Sequence, residues 1–241
     1  MWILKKVSDR LTKYNVKLNK SKCELSKKEL KFLGHRLTDH GIKINDKHHA
    51  ITNATVTRDE KSLRSLLGLG GYFTKFIPNL TTVLEPMRQV LRQKRFLWTA
   101  EAMESFNLLK EMLCKAKVLS SFNQNLQTII TCDASDYGLG ATLTQMKNGK
   151  EVTVQFTSRT LSESERKYSI VEKEALACVW ACERWNTYLW GEFTLRTDQE
   201  ALVTLFSKTS ERQSLRLARW SFRLLKYNLR LNTSRGSSVL H

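Results

Sequence analysis

The chain has 241 residues, 41% of them hydrophobic, and sets 40 Lys and Arg against 23 Asp and Glu for a formal charge of +17. That apolar content supplies one or two ordinary cores and excludes a disordered tail, a collagen-like repeat or a disulfide-stapled mini-protein. No apolar run approaches the ~20 residues of a membrane span.

Met1–Asn15 reads as an amphipathic helix, with Lys5, Lys6, Asp9 and Arg10 interleaved among Trp2, Ile3, Leu4, Val7 and Leu11, and not as a signal peptide. An intracellular location is the expectation. Val16–Leu18 and Leu30–Leu37 are expected as short strands, joined by the polar turn Asn19–Lys28; Gly41 closes a second turn before Ile42 and Ile44. From Asp59 the spacing of Leu63, Leu66, Leu67 and Leu69 turns helical, and Pro78 ends that stretch. A second helix is expected from Thr99 to Ala116, with Met103, Phe106, Leu109, Met112 and Leu113 recurring at three and four.

Thr128–Asp133 is a β-rich run that stops at an acidic turn. Gly138–Leu143 and Val152–Thr157 follow as strands, with Asn148-Gly149 as the hairpin turn. Ser169–Leu189 is expected as a long buried helix and Phe193–Asp198 as a strand. Glu200–Phe206 and the basic Ser214–Lys226 are helices, and Leu229 and Leu231 begin a last strand. A meander followed by alternating strands and helices predicts an α/β fold with a mixed sheet.

Charge is uneven: residues 1–120 carry +13 and residues 121–241 carry +4. Such an excess points to a polyanionic partner, nucleic acid first, with plain solvation as the alternative. The five cysteines form no CxxC pair and read as reduced, packed thiols. Gly68-Leu69-Gly70-Gly71 lacks the strand and third glycine of a phosphate-binding loop. His48-His49 reads as surface, Cys178 and Cys182 as packing residues, and Phe106 and the six tryptophans as core.

Asp133 and Asp198 each end an expected strand, where open α/β sheets form their sites. Glu174 lies on the long helix among Ile170, Val171, Ala177 and Cys178, a setting that penalises an uncompensated carboxylate. Glu172 reads as a surface charge. Three such acids can converge on a hard cation such as Mg²⁺, and two ions would serve phosphodiester hydrolysis. Spacing alone leaves helix caps and solvated charges as the more ordinary reading.

The surrounding residues add a resemblance. Thr131-Cys132-Asp133-Ala134-Ser135 and Gly138-x-Gly140-Ala141-x-Leu143-x-Gln145 resemble the start of a retroelement ribonuclease H domain. So do Ser158-Arg159-x-Leu161-Ser162-x-x-Glu165, Tyr168-Ser169-x-x-Glu172-Lys173-Glu174-Ala175-Leu176-Ala177, Trp185, Tyr188-Leu189, Gly191 and Thr197-Asp198. Upstream, Lys22-Cys23-Glu24, Lys31-Phe32-Leu33-Gly34-His35 and Gly41-Ile42 resemble the palm end and primer-grip hairpin of a reverse transcriptase. Leu67-Gly68-Leu69-x-Gly71-Tyr72-Phe73-x-Lys75-Phe76-Ile77-Pro78 resembles its thumb. Phe96-x-Trp98, Phe106, Leu109-Lys110 and Val118-Leu119 resemble its connection.

The chain is thus similar to the Pol polyprotein of Ty3/gypsy-type LTR retrotransposons. The resemblance implies a ribonuclease H-like mixed sheet with flanking helices, preceded by a small α+β palm-end, thumb and connection region. Expected boundaries are 1–57 for the palm end and primer grip, 58–122 for thumb and connection, and 123–241 for the ribonuclease H-like domain. It implies hydrolysis of the RNA strand of RNA–DNA hybrids, with Asp133, Glu174 and Asp198 as catalytic acids holding Mg²⁺ or Mn²⁺, and the remainder of a Pol polyprotein as partner.

Two departures are expected to matter. No Asp-Asp pair occurs, so the Tyr-x-Asp-Asp turn of the polymerase is absent. Tyr227, Leu229, Leu231 and Gly236 keep the family register, but Val239 replaces an Asn and the fourth metal-binding Asp would fall beyond His241. Gln199 replaces a common His. The chain reads as truncated at both ends, with weakened binding of the second metal.

Hybrid contact needs cations for phosphates and flat groups near sugars. Candidates are Lys20, Lys22, Lys27, Lys28, Lys31, Lys75, Arg92, Lys94 and Arg95. The resemblance places Phe32 and His35 at the primer strand. Arg212, Arg216, Arg219 and Arg223, with Lys226, fall at helical spacing as a cationic stripe; the alternative is a solvated face opposite Leu215, Leu217, Phe222 and Leu224. Two functional readings follow: a ribonuclease H-type hydrolase, or a catalytically silent nucleic-acid-binding remnant.

Overall fold

The computed structural model describes residues 2–32, 35–44, 48–207 and 214–233, without the side chains of 203–205 and 207. Helix α1 (Trp2–Lys13) forms as its pattern predicts, yet none of its residues is buried. Asn15 ends it in the left-handed region at φ 54. The expected strand at Val16–Leu18 does not form; these residues are exposed, and Asn19 instead caps a 3₁₀ turn over Lys20–Lys22.

The single strand expected over Leu30–Leu37 is a hairpin. Strands β1 (Glu29–Phe32) and β2 (His35–Thr38) pair antiparallel with Leu30 opposite Leu37, and β3 (Gly41–Lys43) completes a small sheet. Gly41 sits at φ 134, and a Cβ there would lie 2.1 Å from the carbonyl oxygen of Leu119. That closeness lets Ile42 and Leu119 exchange two backbone hydrogen bonds, of 2.7 and 2.9 Å.

The next segment is helical. It comprises α2 (His49–Thr52), α3 (Glu60–Tyr72), α4 (Leu80–Val83), α5 (Glu85–Val90) and α6 (Ala100–Cys114). Asp59 caps α3 by accepting from the Ser62 N–H at 2.8 Å, and Thr99 caps α6. Ile51, Leu63, Phe73, Phe76, Leu84, Met87 and Leu109 form one core. Each such burial contributes roughly 1.5–3 kcal/mol of transfer free energy.

A second core lies against the sheet of β4 (Thr128–Ala134), β5 (Gly138–Lys147), β6 (Lys150–Thr160), β7 (Phe193–Thr197) and β8 (Leu229–Thr233). Strand order is β6-β5-β4-β7-β8, antiparallel from β6 to β4 and parallel from β4 to β8. Asn148 and Gly149 turn the β5–β6 hairpin, both at positive φ (52 and 72). The helices are α7 (Glu163–Arg166), α8 (Ile170–Arg184), α9 (Glu200–Ser207) and α10 (Leu215–Leu224). Helix α8 stops at Arg184, short of the expected Leu189, and a 3₁₀ turn over Asn186–Tyr188 follows.

Several expectations on burial are corrected. Cys23 and Cys114 are exposed, whereas Cys132, Cys178 and Cys182 are buried. Trp2 and Trp190 are exposed rather than core residues. On α10 the inward stripe is Leu217, Trp220 and Leu224, at spacings of three and four; Leu215 and Phe222 lie to one side of it and are 78% and 67% exposed. Among the described residues no helix is long and apolar enough to cross a membrane.

The two cores are joined by polar contacts. Thr81 donates through its N–H and its hydroxyl to Ser158 Oγ, at 3.1 and 2.9 Å, and Thr82 and Ser135 share a hydroxyl bond of 2.9 Å. Glu85, 1% exposed, pairs with Arg92 at 2.7 Å and with Arg166 of α7 at 3.0 Å. Along β6, Phe156 donates to the Lys75 carbonyl at 2.9 Å, and the Thr153 carbonyl accepts from Ser120 at 2.7 Å.

Candidate active site

Strands β4 and β7 run side by side in parallel, with Thr128 opposite Phe193 and Thr131 opposite Arg196. The same register carried two residues further sets Asp133 level with Asp198. Both carboxylates emerge at the C-terminal ends of neighbouring strands, and both are exposed.

Glu174 reaches the same end from α8. A capping box at Ser169 and Glu172 fixes the start of that helix. Glu172, expected as a surface charge, is largely covered: it closes the box and pairs with Arg216 at 2.7 Å. Two residues on, Glu174 is 3% exposed, and its Oε1 accepts the backbone N–H of Ala134 at 3.0 Å. Its Oε2 is buried without a hydrogen-bond partner.

Burial first, then the neighbouring Asp198 and Asp133, push the Glu174 carboxyl up to about 8, against the opposing bond from Ala134. A group so placed is relieved by a proton or by a cation. The orphaned Oε2 beside two exposed carboxylates is an all-oxygen donor set suited to a hard divalent ion. As they stand, no three His, Cys, Asp or Glu side chains among the described residues form a ready metal site. Beneath the site, burial raises the Cys132 and Cys182 thiols well above their usual range, which suits packing residues and not nucleophiles.

The residues considered for nucleic-acid contact are spread over several places. Lys31 and Phe32 are exposed on β1. His35 is partly buried, its ring stacked on Tyr72 at 5.5 Å, and burial followed by the charge of Lys75 lowers its pKa. Lys75 is exposed and lines a cleft of about 370 Å³ with Tyr72, Arg159, Trp180 and Arg184, between the two cores.

The arginine stripe is not a uniformly open cationic face. Arg216 lies 4.0 Å over the Tyr168 ring while paired to Glu172, and Arg223 forms two bonds to Glu183. Arg219 is exposed and without an ion pair among the described residues. Arg212 lies outside the described residues.

One neighbour of the acids escaped the sequence reading. Asn79, just before α4, donates through Nδ2 to Asp133 Oδ2 at 2.7 Å, from 54 residues away. It is left-handed, at φ 47 and ψ 28. A Pro followed by an Asn, a residue that tolerates this region, was the only local sign. The Thr81–Ser158 and Thr82–Ser135 pairs left no sign of their own.

Residues 98–195 match the RNase H-like domain found in reverse transcriptase. The retrovirus-related Pol polyprotein from transposon 297 of Drosophila melanogaster is 37% identical over 234 residues, 95% of this chain and 22% of that protein. The chain belongs to the Pol family of LTR transposons. Another member, from transposon 412 of the same fly, is 33% identical across 97% of this chain and 19% of its own length. The Tf2-3 polyprotein of Schizosaccharomyces pombe is 29% identical over 98% of this chain. This Pol segment spans about a fifth of the length of the curated relatives it matches.

Its fold is that of foamy viral protease-reverse transcriptase. A dRH form in complex with double-stranded DNA superposes with a TM-score of 0.77 at 20% identity, covering 99% of this chain and 43% of the other. A form in complex with RNA/DNA hybrid superposes with 0.72 at 19% identity, covering 90% of this chain and 31% of the other. The five-stranded sheet and its helices are RNase H-like.

Proposed function

We propose that this Pol segment hydrolyses the RNA strand of RNA–DNA hybrids with the help of Mg²⁺ or Mn²⁺, through Asp133, Glu174 and Asp198. One observation carries the reading: Asp133 and Asp198 lie at the C-terminal ends of adjacent parallel strands and both act on Glu174, whose second oxygen is buried without a hydrogen-bond partner. When bound, divalent ions would supply an activated water and stabilise the leaving oxygen. The chain's own part is to gather three carboxylates, to orient Glu174 through the Ala134 N–H and to offer cations to the duplex. Lys31, Lys75 and Arg219 are among the exposed candidates for phosphates; Phe32 and His35 face each other on the small hairpin. The hybrid as partner rests on the foamy viral structure solved with one, together with the +17 charge. No Asp-Asp pair occurs in the sequence, so no polymerase step is assigned.

A division at 1–57, 58–122 and 123–241 remains our proposal. One buried cluster ending at Leu119 and a second beginning at Ile130 support the boundary near 122, while Ile51 packs in the first cluster with Leu63 and Leu109, so that cluster crosses the boundary at 57.

A second reading, a silent nucleic-acid-binding remnant, is favoured by the lack of a ready three-acid metal cluster among the described residues. One assay separates the two. A labelled hybrid is incubated with Mg²⁺ or Mn²⁺ and either the wild type or Asp198→Asn. Cleavage lost in the variant supports the nuclease. Equal background in both, with binding retained, supports the silent reading.

A further inference from the structure

We propose that Asn79 is a positioning residue for Asp133: its side-chain amide, delivered from the helical core, fixes the Asp133 carboxylate in the orientation that receives a divalent cation. The inference rests on the metal-dependent reading above.

Three observations converge on it. First, Asn79 Nδ2 donates to Asp133 Oδ2 at 2.7 Å, which leaves Oδ1 available on the same carboxylate. A carboxylate that binds metal is held in place when a neutral donor occupies one of its lone pairs, and such outer partners tune affinity strongly.

Second, the amide is confined from both sides. Asn79 is itself left-handed at φ 47, and a Cβ on Gly140 would lie 1.8 Å from Asn79 Oδ1. The oxygen of the amide therefore rests against the bare backbone of Gly140 while its nitrogen faces Asp133. Gly140 stands opposite Asp133 in the β4–β5 ladder, so one rung of the sheet holds both the acid and the space its partner needs.

Third, the residues that follow Asn79 lock the segment down. Thr81 bonds Ser158, Thr82 bonds Ser135, and Leu80 and Leu84 are buried in the helical core. The donor thus comes from one core and the acid from the other, and their docking completes the arrangement.

The test is Mn²⁺ binding to the whole 241-residue chain, followed by electron paramagnetic resonance, with thermal melting read alongside. Asn79→Gly keeps the left-handed backbone unstrained and removes only the amide. Gly140→Ala displaces the same amide with its chemistry intact. Both are expected to raise the Mn²⁺ concentration for half-saturation by about 10–100-fold, with hybrid binding in EDTA unchanged. Asp133→Asn marks the complete loss. Wild-type affinity in Asn79→Gly would overturn the assignment, and tighter binding would overturn it in favour of an amide that masks the acid. Should Asn79→Gly melt early, Gly140→Ala decides alone. Absence of any Mn²⁺ binding that depends on Asp133 in the wild type would remove the metal reading itself, and this inference with it.

Discussion

Arg166, the last residue of α7, reaches Glu85 on α5 at 3.0 Å, and Arg92 meets the same carboxylate oxygen at 2.7 Å. Glu85 is 1% exposed, so its charge is tolerated only through these partners and Arg88. Replacing Arg92 and Arg166 together by Ala leaves that charge buried with little compensation. The expected cost is about 3–5 kcal/mol in urea denaturation. Replacing Arg92 alone, which is 54% exposed and leaves Arg166 in place, is expected to cost far less.

Glu174 gives stability a pH dependence. Its carboxyl is raised from 4.5 to about 8, so between those values it is protonated in the folded chain and ionised in the unfolded one. The native state then binds the extra proton. Stability is full below the ordinary carboxylate range, falls as pH rises through about 8 and levels off above it. Melting curves without divalent ions are expected to show that decline. Glu174→Gln is expected to flatten it and to melt higher than wild type at the alkaline end.

Gly41 offers a local test. Its φ of 134 is available to glycine, and a Cβ would meet the Leu119 carbonyl at 2.1 Å. Gly41→Ala is expected to cost at least about 1–3 kcal/mol for the backbone alone. Amide exchange at Ile42 and Leu119 is expected to rise, because their paired bonds depend on that approach.

Charge reversals on α10 are expected to split into two kinds. Arg219→Glu removes an exposed cation that has no ion pair among the described residues, so hybrid affinity drops and the salt slope falls by about one. Arg216→Glu instead confronts Glu172, its present partner, and lowers the melting temperature as well. Filter binding at several salt concentrations, with melting in parallel, separates them. An unchanged salt slope in Arg219→Glu would remove α10 from the nucleic-acid surface.

The elements that local chemistry dictates were legible in the sequence. Asp59 and Ser169 announced their helices, Asn148-Gly149 announced its hairpin, and a β-rich run announced β4. The acids were legible mainly through the residues around them; the burial of Glu174 and the placement of Asp133 and Asp198 at neighbouring strand ends needed the packed sheet. Where the reading failed, a distant partner decided. The text over Leu30–Leu37 holds two strands because Leu30, Lys31 and Phe32 pair with Leu37, Arg36 and His35, which a count of apolar residues does not reveal. Leu215 and Phe222 belong to the apolar text of α10, but the packed stripe is the one that faces α8. Asn79 was silent because its meaning lies in a carboxylate on another core.

Strand β6 lies at the edge of its sheet, and there the helical segment does a second service. The Phe156 N–H and the Thr153 carbonyl, which would otherwise face outward, are taken up by Lys75 and Ser120. An excised α/β half would bare those two groups on its eleven-residue edge strand, ready to recruit a neighbouring chain. Expressed apart, that half should therefore aggregate by strand addition, and the helical segment acts as its built-in chaperone.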